Sequence, residues 1–159
     1  MRAIAAMDHK RVIGYKGHLP WHIPEELAWF KERTMGGVLV LGRKTYDIVS
    51  KRTKFEGRTV HVLTRDLNES YYCCVPNVII TDKLPEVSNS WLCGGASMYE
   101  EFLSLCTDLY LSIIKENAKD SDSFFPKFEH LFDFDCIEKS NKSFDAHHYV
   151  RNSKKTGSV

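Results

Sequence analysis

Residues 19–31 read Leu-Pro-Trp-His-Ile-Pro-Glu-Glu-Leu-Ala-Trp-Phe-Lys, and the fold of the chain depends on this stretch. Pro24 fixes its own φ angle and has no amide hydrogen to donate, which suits the first position of a helix. Glu25 and Glu26 follow it, at the positive end of the helix dipole. The stretch therefore predicts a helix that begins at Pro24.

One face of this predicted helix is apolar, and Glu26 lies at its edge. Four residues at spacings of three and four positions define that face: Ile23, Leu27, Phe30 and Thr34. Acidic residues in a first helical turn often do no more than stabilise the helix. A carboxylate beside Trp21 and Phe30, however, loses hydration unless a donor or a ligand pairs with it. Glu26 is therefore a candidate site residue, and a flat, amine-bearing ring would suit it.

The composition limits the class of protein. The chain has 159 residues, of which 43% are hydrophobic and 12% aromatic, enough for the core of one domain. Lysine and arginine total 22 against 21 acidic residues, a formal net charge of +1. This balance gives no support for binding to nucleic acid or to an anionic membrane, so any anion site must be local.

Cysteine usage and the N-terminus predict a cytoplasmic protein. The five cysteines are odd in number, include the adjacent pair Cys73 and Cys74, and show no C-x-x-C spacing. This pattern is typical of a reducing compartment. The N-terminal apolar run is short for a secretion signal, and no stretch approaches membrane-spanning length. His147 and His148 are neighbours on a predicted strand and so point to opposite faces, without an evident partner set, and we expect no metal site.

Short apolar runs bounded by turn residues predict the strands. They cover residues 3–7, 38–41, 59–63, 78–80, 91–93 and 109–114, followed by a late antiparallel hairpin of 132–138 and 143–151. Residues 12–20 contain two glycines and a proline, which predicts a mobile loop that could serve as a lid. No linker divides the chain, so we expect one domain over residues 1–151 and a disordered tail over 152–159.

Two predicted strand-to-helix turns are rich in glycine. Residues 42–45 read Gly-Arg-Lys-Thr, and residues 94–95 are a glycine pair before a second helical pattern. Amides at a helix start attract anions, and paired glycines let the backbone approach a pyrophosphate closely. A tight turn without a ligand is the alternative at each place, and the G-x-G-x-x-G fingerprint is absent. Residues 63–65, Leu-Thr-Arg, end another strand at the edge where α/β sheets bind ligands.

The chain resembles the dihydrofolate reductases in the order and spacing of its motifs over nearly its whole length. These motifs are Leu19-Pro20-Trp21, Pro24-Glu25-Glu26-Leu27, Phe30-Lys31, Gly42-Arg43-Lys44-Thr45-Tyr46, Leu63-Thr64-Arg65 and Gly94-Gly95 before Tyr99. The resemblance implies a single α/β domain with a mostly parallel eight-stranded twisted sheet, an antiparallel C-terminal strand and flanking helices. It also implies reduction of 7,8-dihydrofolate to 5,6,7,8-tetrahydrofolate with NADPH, in a monomer that antifolates inhibit.

The same resemblance implies roles on the substrate side. Glu26 matches the family's buried acid, which binds the pterin 2-amino group and N3 and favours protonation at N5. Trp21 would hold water near this acid, and Ser112 would bond the acid and the ligand. Arg58 matches the arginine that clamps the substrate's α-carboxylate. Further substrate contacts are implied at Ala6, Leu27, Phe30, Lys31 and Phe55.

On the cofactor side, the resemblance implies that Arg43, Lys44 and Arg65 surround the 2′-phosphate and so favour NADPH over NADH. The full implied set is Ala6, Ile13, Gly14, Leu19, Gly42, Arg43, Lys44, Thr45, Leu63, Thr64, Arg65, Gly94, Gly95, Ala96, Ser97, Met98 and Tyr99. Residues 8–23 would form the mobile loop, and Asp122 matches a residue that steadies its closed position. Residues 81–90 are short for a crossover between parallel strands, so the family's helix there must be much reduced.

Two other functions remain open from the sequence. One is a reductase of the same fold in riboflavin synthesis, which would need a ribityl phosphate site in place of the carboxylate clamp; Glu26 and Arg58 argue against it. The other is a non-catalytic module that binds a pteridine or a nucleotide. Normal ligand binding without NADPH oxidation would select that module.

Overall fold

The computed structural model describes residues 1–67 and 75–153. In the described residues the elements follow one another as β1 (Arg2–Asp8), β2 (Val12–Gly14), α1 (Pro24–Thr34), β3 (Val38–Gly42), α2 (Arg43–Val49), β4 (Thr59–Leu63), β5 (Val78–Thr81), β6 (Ser90–Leu92), α3 (Ala96–Phe102), a 3₁₀ turn (Leu103–Leu105), β7 (Asp108–Ile114), β8 (Ser123–Phe124), β9 (Phe132–Ser140) and β10 (Phe144–Arg151). The predicted start of the first helix at Pro24 is confirmed.

Eight strands form one sheet in the order β5-β4-β3-β6-β1-β7-β10-β9. The first six strands in this order run parallel to one another, whereas β10 runs antiparallel to β7 and to β9. This confirms the mostly parallel sheet with an antiparallel C-terminal strand that the family resemblance implies. Because parallel strands end at one edge, the turns after β1, β3, β4 and β6 come together there.

The sheet has a buried core on each face, because side chains alternate along its strands. On β3, Leu39 and Leu41 pack on the face that also holds Trp29 of α1, whereas Val40 packs on the face that holds Met98 of α3. On β7, Ser112 lies between two residues of the α1 face and therefore shares that face. The alternation thus places the Ser112 hydroxyl below α1.

The predicted buried face of α1 is partly wrong. Glu26 is 6% exposed and Thr34 is fully buried, as expected. Leu27, however, is 47% exposed, and Trp29 is buried in its place. The helix is rotated so that Glu26 and Trp29, three positions apart, share the stripe that packs on the sheet.

The predicted loop over residues 12–20 contains a strand. β2 pairs with β8 in a separate two-stranded sheet, a long-range pairing that periodicity in residues 12–20 could not show. Residues 82–89, between β5 and β6, form no helix, which confirms the reduced crossover.

At the C-terminal end of the described chain, the Asn152 amide donates to Leu131 O at 2.8 Å, so the domain's contacts extend to residue 152; residues 154–159 lie outside the described part. No helix in the described ranges combines the length and apolar character needed to span a membrane.

Candidate active site

Glu26 is the buried acid at the centre of the site. Its carboxyl shares a hydrogen bond with the Ser112 hydroxyl of β7. Ser112 in turn pairs in register with Ala6 of β1, which places the acid against the central strands. Burial raises the pKa of Glu26 to about 7, and the hydrogen bond with Ser112 opposes this rise. The acid can therefore change its charge near neutral pH.

The residues assigned to the substrate lie together on the same face of the sheet. Phe30, Phe55 and Ala6 are only partly buried and pack against the α1 core, so they form an apolar wall that reaches the surface. The Arg58 guanidinium carbon lies 5.9 Å from the Phe30 ring centre and 5.6 Å from that of Phe55. Lys31 is exposed one position beyond Phe30, and Leu27 is exposed one turn before it. A partly buried aromatic surface with an arginine at one side fits a flat ring that carries an acidic tail.

Arg58 is held in place by α1. The side chain is 4% exposed, and its Nη1 donates to Thr34 Oγ1 at 3.3 Å. Burial lowers the pKa of Arg58. Within the described residues, neither Arg58 Nε nor the indole nitrogen of Trp21 has a hydrogen-bond partner, although both atoms are buried. Buried donors of this kind are suited to a polar ligand.

The two glycine turns lie side by side at the carboxyl edge of the sheet. The Gly42 amide donates to Gly94 O at 2.9 Å, which joins the start of α2 to the start of α3. Gly94 has a φ of +111°, a conformation that side chains rarely adopt. A Cβ atom on Gly95 would lie 2.8 Å from Thr45 Oγ1. The bare backbone therefore forms a cradle that a side chain would fill, and this fits a pyrophosphate.

Basic side chains surround this cradle. Arg43 and Lys44 are exposed directly after β3, and Arg65 is exposed just beyond the end of β4. Gly42 and Leu63 pair in register, so the residues that follow them emerge next to each other. Three cations beside a glycine cradle fit a dinucleotide with an additional phosphate, as in NADPH.

The remaining assigned cofactor residues lie on β2, on the loop before α1, after β4 and on α3. Tyr99 is buried, and its hydroxyl donates to Ile4 O at 2.7 Å on β1. Burial raises the pKa of Tyr99 well above its ordinary value, so the phenol stays protonated. Two of these residues are in β2, one directly follows β4 and three are in the first turn of α3: Ile13, Gly14, Thr64, Ala96, Ser97 and Met98. Leu19 is 42% exposed on the loop before α1.

The loop that precedes α1 is bonded to the segment between β7 and β8. The Lys16 amide donates to Asp122 Oδ2 at 2.9 Å, and the Asp122 amide donates to Gly14 O at 3.1 Å. The Phe125 amide also donates to Arg11 O at 2.8 Å. These bonds confirm the expected contact between Asp122 and the loop over residues 8–23.

Two residues near the site were missed by sequence reasoning. Asp8 is fully buried, and its carboxylate accepts hydrogen bonds from the amides of Lys10, Val12 and Ala118 at 2.9–3.0 Å. It therefore ties the start of the loop after β1 to the β7–β8 segment. Cys93 directly precedes the glycine pair and packs on the α1 face, and burial raises its pKa. Its position at the end of a predicted strand was the only signal for it in the sequence.

One expectation about the histidines needs correction. His147 and His148 do point to opposite sides, since His147 Nδ1 contacts Tyr149 Oη whereas His148 contacts two carboxylates. His148 nevertheless has a partner set, because Asp135 and Cys136 of β9 lie beside it. The strand pairing that creates this set could not be deduced from the sequence.

A mostly parallel sheet with a glycine cradle, nearby cations and a buried acid is the arrangement typical of nucleotide-dependent α/β enzymes. A family model described as dihydrofolate reductase matches residues 1–155. Dihydrofolate reductase of Mycoplasma genitalium is 37% identical over 126 residues, which make up 74% of this chain and 78% of that protein. Dihydrofolate reductase HdrB of Haloferax volcanii is 34% identical over 137 residues, 79% of this chain and 70% of that protein.

A solved structure of dihydrofolate reductase from Enterococcus faecalis, complexed with NADP(H) and RAB-propyl, also matches. Its TM-score is 0.78 at 29% sequence identity, and the match covers 96% of each chain. The chain therefore belongs to the dihydrofolate reductase family.

Proposed function

We propose that this protein reduces 7,8-dihydrofolate to 5,6,7,8-tetrahydrofolate with NADPH, and that Glu26 is its catalytic carboxylate. The assignment of Glu26 rests on one observation. Its carboxyl is buried and hydrogen-bonded with Ser112, beside the half-buried aromatic wall formed by Phe30 and Phe55. The family match supports the reaction.

Glu26 would bind and polarise the pterin ring. In the ligand-free protein its pKa of about 7 leaves both charge states populated at neutral pH. The ring's 2-amino group and N3–H donate to the carboxylate, and hydrogen bonds to the charged form lower the pKa of an acid. The resulting anion attracts a proton to N5 through a low-dielectric environment, and water beside Trp21 can deliver that proton. NADPH, when bound, supplies the hydride that completes the reduction at C6.

The other pocket residues would position the two ligands. Arg58 would bind the α-carboxylate of the substrate tail through paired N–H donors, while Phe30 and Phe55 hold the rings between it and Glu26. The glycine cradle would receive the pyrophosphate of the cofactor, with Thr45 beside it. Flat, diamino-substituted antifolates would compete with the substrate for Glu26.

The test is the loss of reduced-nicotinamide absorbance on mixing purified protein, NADPH and 7,8-dihydrofolate, with NADH and a sample lacking substrate as controls. Substrate-dependent decay that is faster with NADPH than with NADH supports both the reaction and the role of the basic side chains around the glycine cradle. Binding of both ligands without decay would identify a non-catalytic module instead.

Glu26→Gln tests the role of the acid. This variant should still bind both ligands but lose turnover most at neutral pH, with partial recovery at low pH, where the substrate is already protonated in solution. Glu25→Gln is the matched control because Glu25 is exposed in the same helical turn. An equal loss of turnover at every pH would show that Glu26 does not promote protonation.

We further propose that the protein is a single-domain monomer of the cytoplasm. Cys93, Cys106 and Cys136 are free thiols, which is consistent with a reducing compartment. Light scattering of the purified protein across a concentration series tests the monomer, and cell fractionation tests the location.

A further inference from the structure

The last hairpin, β9–β10, brings three different metal-binding side chains together. Asp135 and Cys136 lie on β9, and His148 lies on β10. One donor atom from each lies within 4.8 Å of the other two, and His148 Nδ1 is 2.9 Å from Asp135 Oδ2. These strands are at the opposite end of the sheet from β3 and β4, so the cluster is separate from the cofactor cradle.

A β-bulge creates this cluster. His148 pairs with Cys136, and the next residue, Tyr149, pairs with Phe134, so Asp135 is an extra residue on β9. In a regular strand, neighbours such as Asp135 and Cys136 would point to opposite faces. A bulge sets two residues of one strand against one residue of its partner, which allows both side chains to reach His148.

The imidazole of His148 is held in a fixed orientation. Its Nε2 lies 2.8 Å from Asp108 Oδ1 on β7, and Asp108 Oδ2 accepts a hydrogen bond of 2.6 Å from Thr107. The ring also stacks on Tyr110, with 4.5 Å between ring centres and 22° between planes. A carboxylate bound to one imidazole nitrogen fixes the tautomer and leaves the other nitrogen for a metal. Here that other nitrogen is Nδ1, which lies 2.9 Å from Asp135 Oδ2, so a bound ion would take the place of this contact.

We propose that Asp135, Cys136 and His148 form a binding site for a borderline-soft divalent cation of the zinc type. Zinc accepts thiolate, imidazole and carboxylate ligands together, whereas magnesium and calcium prefer sites made of oxygen atoms. Three protein ligands leave a fourth position for water. The Asp135 side chain is 51% exposed and Cys136 is also exposed, so an ion can enter without opening the fold.

Cobalt(II) is the probe for the thiolate ligand, because its bond to sulfur gives a charge-transfer band in the near ultraviolet. The experiment uses the full chain with Cys73→Ser and Cys74→Ser, since that adjacent pair of thiols could bind the same ion. We expect one cobalt ion per chain, with a sulfur band that zinc abolishes by displacement. Cys136→Ser should remove the band, and its exposed position means that the fold should tolerate the change. His147→Gln is the matched control, because that imidazole faces away from the cluster, and it should keep the band.

Asp108→Ala tests whether the orientation of the His148 ring contributes to metal binding, as it would in a site but not in a chance surface contact. If Asp108 orients the imidazole, this variant should bind zinc about 10- to 100-fold more weakly and still show the sulfur band with cobalt. Thermal unfolding gives a second readout, since zinc should raise the melting temperature of the parent chain and leave that of Cys136→Ser unchanged. The proposal is wrong if the parent shows no saturable binding, which would leave His148 as a bridge between two carboxylates. A sulfur band that persists in Cys136→Ser would also overturn it.

Discussion

Replacing Glu26 with glutamine should stabilise the ligand-free protein above neutral pH, although it should impair the enzyme. The carboxyl is 6% exposed, and burial raises its pKa from 4.5 to about 7. Glutamine has nearly the same shape and can still accept the Ser112 hydroxyl, but it cannot ionise. The variant therefore removes the desolvation cost of the buried negative charge, which lowers the free energy of unfolding of the parent.

The sign and size of the effect follow from proton linkage. Below pH 4.5 the carboxyl is protonated in the folded and the unfolded chain, so its burial adds no dependence on pH. Between pH 4.5 and about 7 only the unfolded chain releases the proton, so the free energy of unfolding falls as pH rises. Above that range the loss is complete and constant, and it amounts to roughly 3 kcal/mol at about 1.4 kcal/mol for each pKa unit.

Urea unfolding of the ligand-free protein, followed by tryptophan fluorescence between acidic and mildly alkaline pH, measures this effect. The stability of Glu26→Gln relative to the parent should increase by about 3 kcal/mol across the series. Any constant offset from packing of the amide cancels in this comparison. Glu25→Gln controls for the loss of a negative charge in the first turn of α1. A stability difference for Glu26→Gln that does not change with pH would refute the reasoning.

Three further variants test neighbouring contacts. Ser112→Ala removes the hydrogen bond that lowers the pKa of Glu26, so the upper end of the pH range of the stability loss should rise while its lower end, set by the unfolded chain, stays the same; an unchanged upper end would show that Ser112 does not affect the acid. Arg58→Lys should raise KM for dihydrofolate roughly 10- to 100-fold with little change in kcat, because lysine cannot replace the paired donors. An equal loss with a pterin that lacks the carboxylate tail would contradict that role. Asp122→Ala removes the acceptor for the Lys16 amide and should weaken NADPH binding about fivefold, a loss of about 1 kcal/mol. Asp120→Ala, exposed in the same loop, should have no such effect.

Much of the fold could be predicted because its signals are local. The bounds of β4 agree with the sequence prediction, and α1 begins at Pro24 as expected, since proline and the following acids act within one helical turn. The glycine turns after β3 and β6 were also evident, because only glycine suits such close backbone contacts. The rotation of α1 was harder to predict, since Leu27 and Trp29 are both apolar and only packing decides which of them is buried.

The sequence by itself determined the order of the eight main-sheet strands along the chain, the family and the identity of the one acid in the first helix that faces inward. The tertiary structure decided the properties that depend on distant residues. Desolvation of Glu26 comes from the sheet beneath it, so its pKa could not be known before the sheet was placed. The pairing of β2 with β8, and the bulge that joins Asp135 and Cys136 to His148, arise from strand registers set by long-range contacts. Local patterns specify local conformation, whereas burial and register are properties of the packed whole.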